Sequence, residues 1–595
     1  MNVTSNPASS PQHPGSSRKS SRTEHRARNA LKSLRAALTM VAVVVLALTG
    51  CAAIPTHGPV GKSDPLSPRN NSVNISFQQF SPADGAAPES IIRGFIESGT
   101  GINDDFQVAR QYLTVGLAQS WAPDKRTLVY KNTFSVVPGA DKDSYKVKFD
   151  VVSTIDAKGI LTPGGTDGTT TVEMSMVKVD GQWRIDKTPD GIVLAEGPFQ
   201  SLFSAVSLYF YDTTLTYGVP DVRWIAGRTS RTATSIVRAL LAGPAPYLAG
   251  AVVSAFPSGM SLERDSVPVN DGVAKVGLTA QLLLDTSVRQ RQQMHAQLLV
   301  TLQKALNTVT ELQFLADDRQ VDMGETTDSV PPMVVDNAVQ SVQVALSRNE
   351  LVTYDGSKIA PIPGIESVSR LIPSTPAMSY SGKDFAFLAA PGNQLFKVST
   401  GQPAILVASG ADLTPPSFGP NGWLWTAGGD GSGTVVAIDS SPKASPPVTL
   451  SVPWLVGQLV TTFRVSRDGS RALVIFHSNG VTTVAITGIA KSGDTLKALT
   501  TPISLTQTGS PSIGVWVGES SVAVAAPSAS GPVSIEVLDL AKPPVTLSEL
   551  TGVVWLSAGS GVRNIHAQTD DQIFTNVGNS WDVSAKALHQ ASFAG

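Results

Sequence analysis

Between residues 331 and 595, a glycine suited to a tight turn recurs at nearly constant spacing, each time next to a short apolar segment. The intervals between successive glycines are 40, 47, 49 and 41 residues. A second segment with alternating apolar residues follows each glycine, for example 395–398 and 435–438. Several short strands in a repeat of this length are typical of the blades of a β-propeller. The glycines are Gly382, Gly422, Gly469, Gly518 and Gly559.

This repeat predicts that residues 331–595 form an all-β propeller domain. A further alternating unit near 342–363 precedes the first glycine of the series. About six blades therefore fit into residues 335–595. The chain must also close the ring, because a propeller joins its last blade to its first.

The rest of the chain is too long to share that domain. A sequence of 595 residues exceeds what one hydrophobic core can serve, so we expect roughly three to five domains. Hydrophobic residues make up 42% and charged residues 15%, which is enough apolar material for several cores. The 51 glycines and 40 prolines favour many short strands and tight turns over long helices.

Residues 81–203 begin with helical patterns and continue with strands. Ile91, Ile92, Phe95 and Ile96 are spaced for one helical face. Residues 145–152 and 172–179 then alternate, and the segment DGQWRI at 180–185 indicates a hairpin. Helices followed by a curved antiparallel sheet are similar to the NTF2-like α+β cone. That resemblance implies a cone that can enclose a small ligand, with Trp121 and Trp183 either in its wall or simply in its core.

Residues 204–330 combine helices and strands in another order. A helix at 232–242 stops at Gly243-Pro244, and a long helix at 287–306 is followed by a strand at 311–316. Another strand is expected around 266–269. The segments ALLAGP, FPSG and VNDGVAKVGLT resemble the GerMN domain, which implies an α/β fold. Their residues are those of caps, turns and core faces, and they contain no reaction centre.

The first fifty residues have the order of an export signal. They contain seven Lys or Arg residues and one acidic residue, Glu24. The apolar run 36–48 is about as long as the core of a signal peptide. Leu48-Thr49-Gly50-Cys51 matches the lipobox of bacterial lipoproteins. Cys51 is the only cysteine in the chain, and a thiol is the side chain that can take a diacylglyceryl group as a thioether.

We therefore predict a signal peptide at 1–50 and a mature chain that starts at Cys51 with an S-diacylglyceryl group and an N-acyl group. The alternative is a buried core cysteine behind an uncleaved signal anchor. Residues 51–80 are rich in Pro, Ser and Asn and predict a flexible tether. From Cys51 onward the chain carries 38 basic and 46 acidic residues, which gives no support for nucleic-acid binding.

Motifs of catalysis and metal binding are missing from the sequence. The seven histidines are scattered, without an HExxH pattern, and a single cysteine excludes thiolate metal clusters. No GxSxG nucleophile elbow occurs. We therefore predict no catalytic residues, no metal site, no cofactor and no enzymatic activity.

Taken together, the lipobox, the cone, the GerMN-like domain and the propeller resemble the actinobacterial LpqB lipoprotein family over nearly all of residues 36–595. The resemblance rests on domain order, on DGQWRI and VNDGVAKV, and on the mature start CAAIP. It implies a protein at the outer face of the cell membrane that binds the sensor region of the histidine kinase MtrB and tunes the MtrA–MtrB two-component system, with effects on envelope homeostasis and division. The residues that bind the partner stay unknown.

Two alternatives stay open at the level of sequence. The GerMN-like cleft or the cone could bind cell wall or a small ligand. The second alternative is a hydrolase that acts on the cell wall through an unrecognised site, although no residue pattern favours it.

Overall fold

The structure is a computed structural model. It describes residues 77–595 except 165–168, 228–230, 325–329, 442–445, 494, 571 and 579. The chain divides into two units, Met1–Asn71, which lies outside the described residues, and Ser72–Gly595. The predicted signal peptide and nearly all of the predicted tether are therefore not described.

The N-terminal domain starts with three short helices and continues as a mostly antiparallel sheet. The helices are α1 (Pro88–Glu97), α2 (Gln107–Gln111) and α3 (Val115–Ser120), and the strands are β1 (Arg126–Pro138), β2 (Ser144–Asp156), β3 (Leu161–Pro163), β4 (Thr169–Val179), β5 (Gln182–Lys187) and β6 (Ile192–Ala195). Strand order in the sheet is β5-β4-β2-β1-β6, with β3 beside β2.

This arrangement confirms the predicted α+β cone. Ile91, Ile92, Phe95 and Ile96 are the buried residues of α1, as their spacing predicts. The β4–β5 hairpin turns at Asp180-Gly181, where both residues have positive φ. Strand β6, which pairs with β1 in parallel, was not predicted from the sequence, because four residues give too short a pattern.

Helix α4 (Glu196–Leu202) ends the N-terminal domain, since its Phe199 and Leu202 pack in that domain's core. The helices of the middle domain are α5 (Thr232–Leu241), α6 (Ala280–Leu284) and α7 (Val288–Ala305). Its strands are β7 (Phe203–Asp212), β8 (Gly218–Ala226), β9 (Val252–Val253), β10 (Val269–Asn270), β11 (Val273–Gly277), β12 (Glu311–Ala316) and β13 (Arg319–Gln320). The strands form two sheets, β8-β7-β9 and β10-β11-β12-β13, which pack with the helices.

Most of the predicted elements of this domain are present. α5, α7 and β12 agree with prediction within two residues, and β12 pairs with β11 in parallel. The strand expected at 266–269 is shorter: only Val269 and Asn270 pair, while Val267 is buried without joining the ladder. Helix α6 was missed, because five residues are too few to show a helical period.

The C-terminal domain contains six blades in the described part of the chain, which agrees with the predicted number. Blade 1 holds β14 (Gln343–Ser347), β15 (Glu350–Tyr354) and β16 (Ile359–Pro361); blade 2 holds β17 (Pro373–Met378), β18 (Asp384–Ala389), β19 (Gln394–Ser399) and β20 (Ile405–Ser409); blade 3 holds β21 (Ser417–Phe418), β22 (Trp423–Ala427), β23 (Ser432–Asp439) and β24 (Val448–Val456).

The remaining blades are more elaborate, since blade 4 has a fifth strand and blade 5 carries a separate strand pair, β32 with β35. Blade 4 holds β25 (Leu459–Val465), β26 (Arg471–Ser478), β27 (Val481–Ser492), β28 (Thr495–Leu499) and β29 (Ile503–Leu505); blade 5 holds β30 (Ile513–Trp516), β31 (Ser521–Ala525), β32 (Pro532–Val533), β33 (Ile535–Asp539), β34 (Val545–Thr546) and β35 (Leu550–Thr551); blade 6 holds β36 (Trp555–Ala558), β37 (Ile565–Gln568), β38 (Gln572–Val577) and β39 (Ser580–Lys586).

The ring closes through β40 (His589–Ser592), which follows blade 6 in the chain but pairs with β14 of blade 1. Blade 1 is therefore built from strands at both ends of the domain. The repeat glycines differ in conformation: Gly382, Gly422 and Gly469 have positive φ, whereas the last two of the series do not.

Candidate functional site

The predicted lipidation residues cannot be placed by the structure. Leu48, Thr49, Gly50 and Cys51 lie outside the described residues. In the part of the chain that is described, each helix is too short or too polar to cross a membrane. Membrane attachment through Cys51 thus stays a prediction from the sequence.

One hydrophobic core passes from the middle domain into the propeller. Leu208 and Phe210 of β7 belong to the same buried cluster as Leu473, Ile475 and other side chains of blades 4 and 5. Two hydrogen bonds to backbone carbonyls strengthen this junction: the Lys491 N–H donates to the Gly250 carbonyl at 2.9 Å, and the Thr500 hydroxyl donates to the Tyr247 carbonyl. The two domains therefore pack as one folded body.

A buried cluster of charged side chains lies in this junction. Arg471 is 1% exposed and pairs with Asp468 at 2.6 Å. It also donates to the Glu519 backbone carbonyl at 2.6 Å. The Glu519 carboxylate in turn accepts from the Tyr209 hydroxyl at 2.8 Å and from the Asp336 N–H at 2.7 Å. Blade 4, blade 5, the middle domain and the segment between the domains are tied together here.

The charges in the cluster compensate one another. Asp468 and Glu519 raise the pKa of Arg471 against the effect of its burial. Burial and the nearby Glu519 carboxylate raise the pKa of Tyr209, which keeps its hydroxyl protonated as a donor. The Arg471 Nη1 group is buried without a hydrogen-bond partner among the described residues. The hydrogen bonds and ion pairs that are formed favour one arrangement of the domains over others.

The N-terminal domain is attached through a second buried ion pair. Asp221 and Arg223 on β8 form contacts at 2.6 Å, and both side chains are completely buried. Arg223 also donates to the Lys158 carbonyl at 2.8 Å, and the Trp224 N–H donates to the Gly159 carbonyl at 2.7 Å. The loop after β2 is thus held against the middle domain.

A cavity of about 420 Å³ lies at this contact, and we call it the cone-mouth cavity. Its walls come from the open end of the cone and from β8 and α5. The lining combines apolar side chains with Trp224, Thr127, Asp124, Asp156 and Arg238. The Trp224 indole N–H is buried and has no partner among the described residues. This volume and this lining are within the range of small-molecule sites.

The core of the cone itself is packed with side chains. Trp121 is 3% exposed and contacts Phe95 and Phe106 at ring-centroid distances of 5.3 and 5.9 Å. Arg110 stacks on its ring at 5.4 Å. Trp183 is partly buried beside the same core. Of the two sequence-based interpretations of these tryptophans, the core role is the one that the packing supports.

Two further cavities border the middle domain. One, of about 480 Å³ and mainly apolar, lies where all three domains meet and includes Trp224, Leu161 and Leu538. The other, of about 340 Å³, lies between α7 and the segment before the propeller and includes His295 and Phe314. Burial lowers the pKa of His295, which favours its neutral form. This second cavity lies at the domain for which the sequence predicted a GerMN-like cleft.

The charged clusters were not predicted from the sequence. Arg464, Arg467 and Arg471 fall within eight residues of a chain with few charges, and that density was the available signal. The pattern of this segment is that of an ordinary turn between blade strands, because the sequence does not show that another domain packs against this turn. Among the described residues, His, Cys, Asp and Glu side chains form no group of three or more that could hold a metal ion.

Three family models match consecutive parts of the chain. The model described as the N-terminal domain of lipoprotein LpqB matches residues 81–200, and the one described as the lipoprotein LpqB β-propeller domain matches residues 349–591. Between them, the Germane model, described as sporulation and spore germination, matches residues 207–322.

Relatives resemble the chain over most of its length. A lipoprotein LpqB from Rhodococcus opacus is 26% identical over 540 residues, which covers 85% of this chain and 87% of the relative. One from Bifidobacterium longum is 26% identical and covers 78% and 80%. Among solved structures, a putative TolB from Agrobacterium tumefaciens is similar over 38% of this chain and 84% of its own, at 12% identity and a TM-score of 0.27, which is too low to support an argument.

Proposed function

This chain belongs to the LpqB lipoprotein family, and on that basis we propose that it is a lipid-anchored accessory protein of a two-component sensor kinase. It acts at the outer face of the cell membrane, binds the sensor region of an MtrB-like histidine kinase and modulates its signalling in envelope homeostasis and division. It works by binding and not as an enzyme. The observation that carries the proposal is the match to two LpqB domain models at 81–200 and 349–591, downstream of a lipobox at Leu48–Cys51.

The architecture supports a binding role. The middle domain and the propeller share one core, so they present a rigid surface that loses little conformational entropy on association. We place the domains at 81–203, 204–330 and 331–595, with a tether at 51–80 that lets them reach a neighbouring membrane protein. Two or three acyl chains on Cys51 would hold the protein firmly, since each buried methylene contributes about 0.8 kcal/mol.

Capture in intact cells tests the partner. A photo-crosslinker incorporated on the propeller should recover the extracytoplasmic region of a histidine kinase, and deletion of the chain should change phosphorylation of the cognate regulator. Recovery of cell-wall material alone, with unchanged phosphorylation, would count against the proposal.

Fractionation tests the anchor separately. Cys51→Ser should move the protein from the membrane to the soluble or secreted fraction, because the serine hydroxyl does not take the lipid. The matched control Thr49→Ser keeps a small residue in the lipobox and should stay in the membrane. A Cys51→Ser protein that still resists release from membranes would contradict lipidation at this residue.

The cone-mouth cavity favours a second candidate function, the binding of a cell-wall fragment or another small ligand. Its volume of about 420 Å³ and the unpaired indole N–H of Trp224 support this alternative. Retention of the purified protein on isolated wall material would support it, provided that Ala239→Phe, which narrows the cavity, abolishes retention. Retention that this substitution leaves unchanged would exclude the cavity as the binding site.

A further inference from the structure

The cavity where the three domains meet has an apolar interior and a polar rim, and we call it the three-domain cavity. Its volume is about 480 Å³, and most of its lining residues are apolar. The N-terminal domain contributes parts of β1, β2, β3 and α4, and the middle domain contributes Trp224. The propeller contributes β29, the end of β33 and the loop that follows it. A cavity of this volume is within the range of sites for small molecules.

The inner wall of this cavity joins two hydrophobic cores. Its buried residues are apolar except for Ser153. Val129 and Phe199 belong to the core of the cone, whereas Leu505 and Leu538 belong to the core that the middle domain shares with the propeller. Packed protein interiors leave few gaps larger than a water molecule. A gap of this size between two cores is therefore a candidate binding site.

Polar groups of the lining lie towards solvent or have local partners. The exposed polar residues are Gln200, Ser504, Thr506 and Lys542. The Glu196 carboxylate accepts a hydrogen bond from Gln200, and the Asp539 carboxylate accepts from the Ala541 N–H at 2.7 Å. The rim can thus hold a polar group in water, while the interior offers mainly apolar contacts.

Between the inner wall and the rim, apolar side chains from all three domains keep part of their surface exposed. Removing such surface from water is favourable, and a concave site allows one ligand to cover several side chains at once. The half-buried apolar residues of the lining are Leu161, Pro163, Trp224, Ile503 and Leu540.

We propose that the three-domain cavity binds the hydrocarbon chain of an amphiphilic molecule, with the chain inside and the polar head at the rim. Apolar cavities are the ones that exclude water and accept apolar molecules. The cone-mouth cavity has a comparable volume, but its lining includes Asp124, Asp156 and Arg238, which suit a polar ligand. The proposal goes beyond kinase binding and does not depend on it.

Quenching of tryptophan fluorescence by brominated chains tests this site, because bromine quenches an indole only at close range. The full-length Cys51→Ser chain is used, since it has no acyl chains of its own and avoids a detergent that would compete. Hexanoate, octanoate and dodecanoate with bromine on the last carbon are titrated below their critical micelle concentrations. We expect saturable quenching and an affinity that rises with length, by up to about fourfold for each methylene that is buried.

A second probe separates the chain from its head. Dodecanol with bromine on the last carbon has the same chain and an uncharged head. Equal affinities for the alcohol and the carboxylate show that the chain alone is recognised. A difference between them shows that the rim also contacts the head.

Variants locate the binding. Ser504→Phe places a ring at the cavity wall and should weaken binding at least tenfold. The matched control, Ser451→Phe, places the same ring at an exposed serine of β24 and should leave the affinity unchanged. Trp224 is the one tryptophan of the lining. Trp224→Phe should therefore lose most of the saturable quenching, because phenylalanine keeps an apolar ring but has no indole.

Ala239→Phe narrows the cone-mouth cavity and should leave both the quenching and the affinity unchanged, so the two cavities are tested separately. Trp224→Phe serves if Ser504→Phe fails to fold, because it locates the chain without filling the cavity. Absence of saturable quenching by the brominated dodecanoate would overturn the proposal. So would undiminished quenching in both Ser504→Phe and Trp224→Phe, or a loss of binding in Ala239→Phe with Ser504→Phe unchanged.

Discussion

At the residue scale, the buried ion pairs show how the domains are fastened. Asp221 accepts from Arg223 through both carboxylate oxygens and also from the Ala245 N–H at 2.8 Å. Arg223 uses two of its other N–H groups on the carbonyls of Lys158 and Gly243. One pair thus connects β8 to the N-terminal domain and to the end of α5. Such a pair contributes more to the choice of one domain arrangement than to stability in itself.

Removing one partner of this pair should be costly. Asp221→Asn keeps the shape but leaves Arg223 charged and buried without a counter-charge, so we expect the free energy of unfolding to fall by about 3–5 kcal/mol. Denaturant titration followed by circular dichroism measures this. The control Asp265→Asn breaks the exposed pair with Arg238 and should produce no measurable change, since exposed pairs are screened by solvent. Similar curves for both variants would disprove the role of Asp221.

His566 should make the propeller sensitive to acid. Burial lowers its pKa to about 4, whereas an unfolded histidine titrates near about 6.5. Between these values the unfolded chain binds a proton and the folded chain does not. The free energy of unfolding should therefore fall as the pH drops from about 6.5 to about 4, by at most about 3 kcal/mol.

Denaturant titrations at a series of pH values check this. His566→Gln should lose less stability over that interval than the wild-type chain, because the glutamine does not titrate. Changing the exposed His589 to Gln should leave the wild-type dependence intact. If His566→Gln followed the wild-type curve, the acid sensitivity would have another origin.

At the scale of elements, the closure of the propeller depends on one short strand. β40 pairs with β14 through Val344 opposite Ser592, and the Trp555 indole N–H donates to the Ala591 carbonyl at 3.0 Å. Ala591 is 1% exposed, while His589 in the same strand is exposed. Blade 6 and blade 1 thus meet at β40.

A charge placed in this strand should open the ring. Ala591→Glu places a carboxylate among buried apolar side chains, and we expect a loss of at least about 2 kcal/mol in the free energy of unfolding, with increased protease sensitivity of the propeller. His589→Glu introduces the same charge at an exposed position and should behave like the wild-type chain. Equal protease sensitivity of the two variants would show that β40 does not control closure.

Most of the longer helices and strands could be predicted from the sequence. The repeat glycines and the alternating segments indicated six blades, and the cone and the middle domain followed from helical faces and hairpin signals. The short strands β6 and β9 were missed because two to four residues carry no readable period. The strand at 266–269 was predicted too long, since apolar alternation does not show where pairing ends.

The cavities and buried charges could not be predicted in this way. The cone-mouth cavity forms only when β8 lies against the loop after β2, residues that are distant in the sequence. Arg464 and Arg471 lie seven residues apart in one charged segment, yet one faces a cavity and the other an acid. Their difference arises from neighbours in other blades, so it is a property of the tertiary structure.

At the scale of the whole molecule, the three domains should not move freely, because one core joins the middle domain to the propeller and Arg223 and Trp224 bind the loop after β2 of the N-terminal domain. Cys51 is the only cysteine, so in a Cys51→Ser chain two introduced cysteines are the only sites for spin labels. Labels at Thr171→Cys in the cone and Lys383→Cys in the propeller, both exposed, should give one narrow distance distribution by pulsed electron resonance. The pair Lys383→Cys with Arg563→Cys, within the propeller, sets the width expected of a rigid body. A much broader distribution for the first pair would contradict a fixed arrangement.

The pairing of β14 with β40 also sets the order in which the molecule can be completed. About 250 residues separate Val344 from Ser592, and a contact of that length forms late, because most of the chain entropy must be lost first. Until then blade 1 lacks its inner strand, and β14 presents an unpaired edge that other chains could bind. The period between synthesis of the propeller and closure of its ring is therefore when this protein is most exposed to aggregation and proteolysis.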